Sequence, residues 1–207
     1  MEGMYTPRFN KVEDRATLLE AMRTYSFAIL FGPPGGESAA AATHLPLLVK
    51  DQGEHGLLEG HFAQANPHWA ALAGKEALVV FPGPHSYVST SLYTEELSVP
   101  TWNYIAVHAY GTLELLEDEA GKMRLVEELI ATHDPSALDH WRNEPEGYQR
   151  TMLKGIVGFR ILISRIEGKF KISQNRKPEE RHNVQAAHAA GTADQQELAR
   201  WMARMGL

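Results

Sequence analysis

The chain contains no cysteine. That absence removes disulfides, thiolate metal ligands and cysteine nucleophiles together. No apolar run approaches the ~20 residues that span a bilayer as a helix. The opening Met1-Glu2-Gly3-Met4-Tyr5-Thr6-Pro7 has no basic segment followed by an apolar one, so no signal peptide is expected. A cytoplasmic protein without membrane contact is the expectation. Basic charge is also scarce: 20 Lys and Arg stand against 26 Asp and Glu, a net charge of −6 and a pI near 5.9. That balance is opposite to the footprint of a nucleic-acid-binding domain, so direct DNA binding is not expected. No Gly-Lys-Ser/Thr follows Gly35-Gly36, which excludes a Walker loop. Neither a Gly-x-Ser-x-Gly elbow nor a His-x-x-x-His pair occurs, so hydrolase and helical metal sites lack their signatures.

What is present suffices for a full core: 43% of 207 residues are hydrophobic. The pattern predicts helices over Glu13–Tyr25, Gly121–His133 and Gln195–Met205, and a short helix or turn over Thr151–Val157. Strands are expected over Phe27–Phe31, Ala39–Val49, His55–Ala63, Ala77–Phe81, Tyr87–Ser89, Tyr104–Leu116 and Gly158–Ile166. Lys169–Ser173 follows Gly168 as either a hairpin return or a bent extension. Asn66 is the expected cap of a short helix, with Pro67 at its first position. Many short strands with few helices read as an antiparallel barrel, mainly β with helices. The expected division is a domain over 1–181 and a helical tail over 182–207.

Chemistry concentrates between Phe81 and His108. Trp102 and Tyr104 alternate along a strand and share one face, with Asn103 opposite. His85 and Tyr87 supply an imidazole and a phenol nearby. Aromatic faces stack on planar ligands, and hydroxyl or amide groups bond polar ring edges. Thr43 and His44 precede Leu45 and Pro46 in a strand whose proline frees backbone groups. His61, Gln64 and Asn66 lie between a strand and a helix start, where backbone N–H groups favour phosphate. The run from Lys169 to Lys177 reads as a solvated strand end and turn or as a local anion site. Together these segments point to a flat, polar cofactor.

Met4–Phe9, Ala42–Leu48, Gly60–Trp69, Phe81–Ser89, Val99–Tyr104, Ile156–Phe159 and Lys169–Arg176 occur in an order that resembles the PaiB family. The resemblance implies an FMN-binding split β-barrel related to pyridoxamine-phosphate oxidases, assembled as a homodimer with FMN at the subunit interface. It implies that Thr43, His44 and Leu45, followed by Pro46, line the isoalloxazine, and that the turn from Gly60 to Asn66 approaches the phosphate. Trp102, Asn103 and Tyr104 are implied to pack from the partner subunit. Ser173, Gln174, Asn175 and Arg176 are implied to close the site, with Lys171 and Arg176 as phosphate partners. The family often carries Arg where this chain has Gln64, which removes a charge from that contact. Its name further implies negative regulation of transcription. Three alternatives stay open from the residues: a flavin-dependent oxidoreductase with His85 and Tyr87 at a substrate cavity, a haem-binding protein of the same fold, and a structural homodimer without cofactor.

Overall fold

The structure, a computed structural model, describes residues 3–32 and 41–207. The loop expected at Gly32–Gly36, apart from Gly32, and the first residues of the strand expected over Ala39–Val49 fall outside that range. Among the described residues nine strands form a mainly antiparallel sheet: β1 (Lys11–Val12), β2 (Phe27–Gly32), β3 (Ala41–Pro46), β4 (Leu48–Lys50), β5 (Leu57–Ala63), β6 (Glu76–Val88), β7 (Thr101–Leu116), β8 (Ile156–Leu162) and β9 (Arg165–Lys171). Their order is β3-β2-β6-β7-β8-β5-β4, with β9 beside β7 and β1 beside β9. The helices are α1 (Arg15–Thr24), α2 (His68–Leu72), α3 (Glu119–His133), α4 (Leu138–Asn143), α5 (Glu146–Lys154), α6 (Pro178–Ala189) and α7 (Ala193–Arg204). The chain divides into two compact units, one of Met1–Leu18, Pro82–Val107 and Glu167–Leu207, the other of Leu19–Phe81 and His108–Ile166.

Local chemistry explains the main elements. Asp14 starts α1 by accepting hydrogen bonds from the Thr17 amide at 2.8 Å and the Thr17 hydroxyl at 2.6 Å. Leu18, Leu19 and Met22 of that helix are buried. Thr192 and Gln195 form a reciprocal capping box at the start of α7. Asp118 accepts from the Gly121 amide at 2.6 Å and starts α3, whose Leu125 and Leu129 pack with Leu48 and Leu116.

Several elements differ from expectation. Pro82-Gly83-Pro84 reads as a break, yet β6 runs unbroken from Glu76 to Val88. Its pairing with β2 covers only Leu78–Val80, so the prolines stand beyond that ladder and withhold no amide from it. Gly158–Ile166 is not one strand: β8 ends at Leu162, and β9 continues along the same neighbour, β7, after a break. The Ser164 amide marks that break, donating to the Tyr110 carbonyl at 2.9 Å. Of the two readings for Lys169–Ser173, extension holds: β9 runs through Gly168, which lies opposite Val12, as far as Lys171. Helix α4 is additional, α5 starts at Glu146 and ends at Lys154 instead of covering Thr151–Val157, and α6 crosses residue 181.

Candidate cofactor site

In the unit of Leu19–Phe81 and His108–Ile166, the strand β3 ends the sheet. It pairs with β2 on one side, from Phe27 opposite Pro46 to Gly32 opposite Ala41, and no described strand lies on the other. Along it Thr43 is half-buried, His44 exposed, Leu45 buried and Pro46 half-buried. A triad fixes Thr43 internally. Its hydroxyl lies 2.8 Å from His68 Nδ1 and accepts from Asn66 Nδ2 at 3.3 Å, while Asn66 Oδ1 accepts from the His68 amide at 3.0 Å. Thr43 and His68 Nδ1 share one hydrogen bond whose direction follows the imidazole tautomer, and His68 Nε2 is buried with no hydrogen-bond partner among the described residues. Asn66 thus behaves as the expected helix cap, although α2 itself begins one residue past Pro67.

The phosphate end is less simple. Helix α2 has five residues and its first amide is held by Asn66, so no free helix terminus is offered there. Gly60 is explained by packing, because a Cβ there would stand 2.6 Å from Leu47 Cδ2 and 3.1 Å from the Phe159 ring. Gln64 is exposed, with its main chain fixed by the Gly155 carbonyl at 2.8 Å and by the Trp69 indole N–H at 3.2 Å. His61 is half-buried on β5, opposite Gly158, and its Nδ1 has no hydrogen-bond partner among the described residues.

Burial pushes the imidazoles of His61 and His68 below their ordinary 6.5. The folded state keeps both neutral, whereas the unfolded chain protonates them near 6.5, so their contribution is complete above that pH and is lost as pH falls through the lower folded values. The unfolding midpoint is therefore expected to fall between pH 7.5 and 5, and His68→Gln to reduce that slope. Thermal melts across this range decide it; an identical slope in the variant would refute the assignment.

The other unit carries the remaining expected residues. Trp102 is 52% exposed and Tyr87 51% exposed, their rings 6.0 Å apart at 73°. His85, also exposed, lies 6.2 Å from Trp102. These three form an aromatic patch on β6 and β7. Asn103 points the other way, fully buried, and donates from Nδ2 to Ser173 Oγ at 3.0 Å. That bond steadies Ser173 in a left-handed conformation, φ 69°. Gln174 folds back on its own turn, accepting from the Ile172 amide at 2.8 Å and donating to the Phe170 carbonyl. Asn175 is exposed. Lys171 donates to the Thr101 hydroxyl.

Arg176 is engaged within the chain. Its guanidinium lies 3.7 Å over the Tyr93 ring and 3.9 Å from Glu180. Glu180 is buried and accepts from the amides of Thr94 at 2.9 Å and Glu95 at 3.2 Å. Burial pushes its carboxyl up, but those amides and Arg176 outweigh that and hold it below the usual range. Sequence reasoning missed the roles of His68, Tyr93 and Glu180 in these clusters. Only Glu180 carried a signal, standing four residues after Arg176 at the start of a helix.

The donor set fits a flavin. The pyrimidine edge of an isoalloxazine alternates hydrogen-bond acceptor and donor, as does the unpaired rim of an edge strand such as β3. The residues 4–165 match the family described as "Putative FMN-binding domain". The chain belongs to that family. FMN is the family's cofactor, and the chain is an FMN-binding split-barrel protein of the PaiB type. It is 36% identical over 184 residues to the Bacillus subtilis (strain 168) protein named protease synthase and sporulation protein PAI 2, with 87% of each chain covered. Among solved structures it resembles the flavocytochrome Anf3 of Azotobacter vinelandii, TM-score 0.63 at 15% identity, covering 82% of this chain and 74% of that one. A FAD and heme binding protein from Mycobacterium smegmatis gives TM-score 0.62 at 17% identity, covering 88% and 81%. At such identities these two establish the fold, which is the split barrel that the sequence led us to expect. Among the described residues no helix is long and apolar enough to cross a membrane.

Proposed function

We propose that the protein is a homodimer that holds FMN along the open rim of β3 and restrains transcription through that flavin instead of by reading DNA. The observation that carries this reading is the edge position of β3, whose unpaired main-chain groups suit a ring edge. Thr43, His44, Leu45 and Pro46 would line the ring, and Trp102 and Tyr104 of the partner subunit would pack on it. His61, Gln64 and Asn66 are the polar groups proposed toward the phosphate side. Asn103 acts through Ser173, ordering the turn that holds Gln174, Asn175 and Arg176. The regulatory half of the proposal rests on the sporulation relative's name and on the net charge of −6, which disfavours phosphate-backbone contacts.

A second reading, flavin-dependent oxidoreductase, is favoured by one feature: the exposed imidazole of His85 and phenol of Tyr87 flank Trp102. Bound FMN would supply the one- or two-electron chemistry, and the protein its orientation. These groups would bind or orient an acceptor beside the ring.

Trp102→Ala is the direct test. Because half of this side chain is already exposed, the variant is expected to fold normally. Its FMN dissociation constant is expected to rise about 10- to 100-fold, the scale of one aromatic stacking contact. Flavin absorbance after gel filtration reads the affinity, and light scattering on the same peak reads the dimer. Unchanged flavin retention would remove Trp102 from the site, and a monomer that still retains FMN would remove the partner. NAD(P)H oxidation with and without an acceptor separates enzyme from regulator.

A further inference from the structure

Lys169 lies in the run that the sequence offers as a solvated strand end, yet only 9% of it is exposed. Its ammonium donates to the Tyr5 carbonyl oxygen at 2.8 Å. Nζ also stands 5.4 Å from the ring centres of Tyr5 and of Tyr104. No described carboxylate forms an ion pair with it. The acids around it are committed elsewhere: Glu167 accepts the Met4 amide at 2.8 Å, and Glu13 pairs with Lys11, the residue opposite Lys169 across β1 and β9. Lys171, next along the same face of β9, donates to Thr101 and likewise has no ion pair.

A buried cation without a counter-charge is costly, and carbonyl and aromatic faces offset only part of that cost. The chain has an excess of acids, 26 against 20 bases, so a counter-ion here was readily available. The positive charge at Lys169 is therefore met by a carbonyl and two ring faces, with no described carboxylate paired to it. We infer that Lys169, caged by Tyr5 and Tyr104, is the anchoring subsite for the carboxylate or phosphate group of a small second ligand, distinct from FMN. Tyr104 shares its strand face with Trp102, so this inference rests on the flavin reading above and places the second ligand beside the ring. Tyr5, itself 71% exposed, forms the outer wall of the cage.

The FMN-loaded full chain is titrated with inorganic phosphate against sodium chloride at equal ionic strength, with the unfolding midpoint and flavin absorbance both recorded. Saturable binding is expected, raising the midpoint by about 5 °C at a hundredfold excess over Kd. Lys169→Gln is expected to weaken phosphate at least tenfold with flavin content unchanged, and Lys169→Arg to preserve most of the binding. Phosphate no better than chloride, or equal affinity in Lys169→Gln, would overturn the subsite. Loss of FMN from Lys169→Gln would assign the cation to the flavin and overturn the second ligand. Should that variant fail to fold, Tyr5→Leu, at an exposed ring with no assigned contact to the flavin, keeps the ammonium and must still weaken phosphate several-fold; unchanged binding there also overturns the proposal. Absorbance reports the flavin reading and the phosphate-dependent midpoint reports the subsite, so either can fail alone.

Discussion

Phe170→Ala is expected to cost about 3–5 kcal/mol, the largest loss from any single truncation considered. Phe170 is fully buried on β9, and its ring meets Trp201 of α7 edge-on, with centres 5.1 Å apart at 88°. The two side chains join the strand to the C-terminal helix within one unit, where Val184, Leu198 and Met202 complete the apolar layer. Deleting the ring removes transfer energy, an aromatic pair and the filler of the space between them. For a chain of this size the unfolding midpoint is expected to drop by roughly 10 °C. A functional consequence comes with it, because Phe170 stands between Lys169 and Lys171, which occupy the opposite face. Trp201→Ala should reproduce most of the loss, and the double variant should fall well short of the sum because the pair is coupled. Additive losses in chemical denaturation would show that the two rings act separately.

The second large effect is expected from a single methyl group. Gly111 lies on β7 where β8 passes, and a Cβ added there would collide with the Leu162 carbonyl oxygen and stand 2.7 Å from Ile161 Cγ2. A carbonyl cannot rotate aside as a side chain would, so the strands themselves must part. Overpacking of this kind costs about 3 kcal/mol. Gly111→Ala is therefore expected to lower the midpoint by roughly 6–12 °C. It should also weaken the nearby break between β8 and β9, where the Ser164 amide meets the Tyr110 carbonyl. Amide hydrogen exchange at Ser164 measures that directly. A variant as stable as the parent, with Ser164 equally protected, would show that β8 shifts without penalty.

The particular elements show what local pattern can and cannot report. Helix α1 was legible because its cap, Asp14, and its apolar spacing agree. The alternation of Trp102, Asn103 and Tyr104 was legible because a strand has only two faces, and Asn103 is buried as alternation requires. Prolines misled at β6, since what tolerates them is the end of the β2 pairing, a tertiary fact. Helices α4 and α5 were missed or truncated because their outer faces are polar and a third of their residues or fewer meet the core pattern. The run beginning at Lys169 misled in the opposite direction. Charge suggests solvent, but the cover over Lys169 comes from Tyr5, 164 positions earlier in the chain. Arg176 looked free for phosphate for the same reason: Tyr93 and Glu180 reach it only after folding.

The two ends of the sheet are treated differently. At β4 the Arg23 guanidinium donates to the Val49 carbonyl at 3.0 Å, so part of that rim is already satisfied. Nothing comparable covers β3 among the described strands. An uncovered rim is a template for any other extended chain that meets it, including a second copy of this one. If FMN lies there, it also serves as a plug against misassembly.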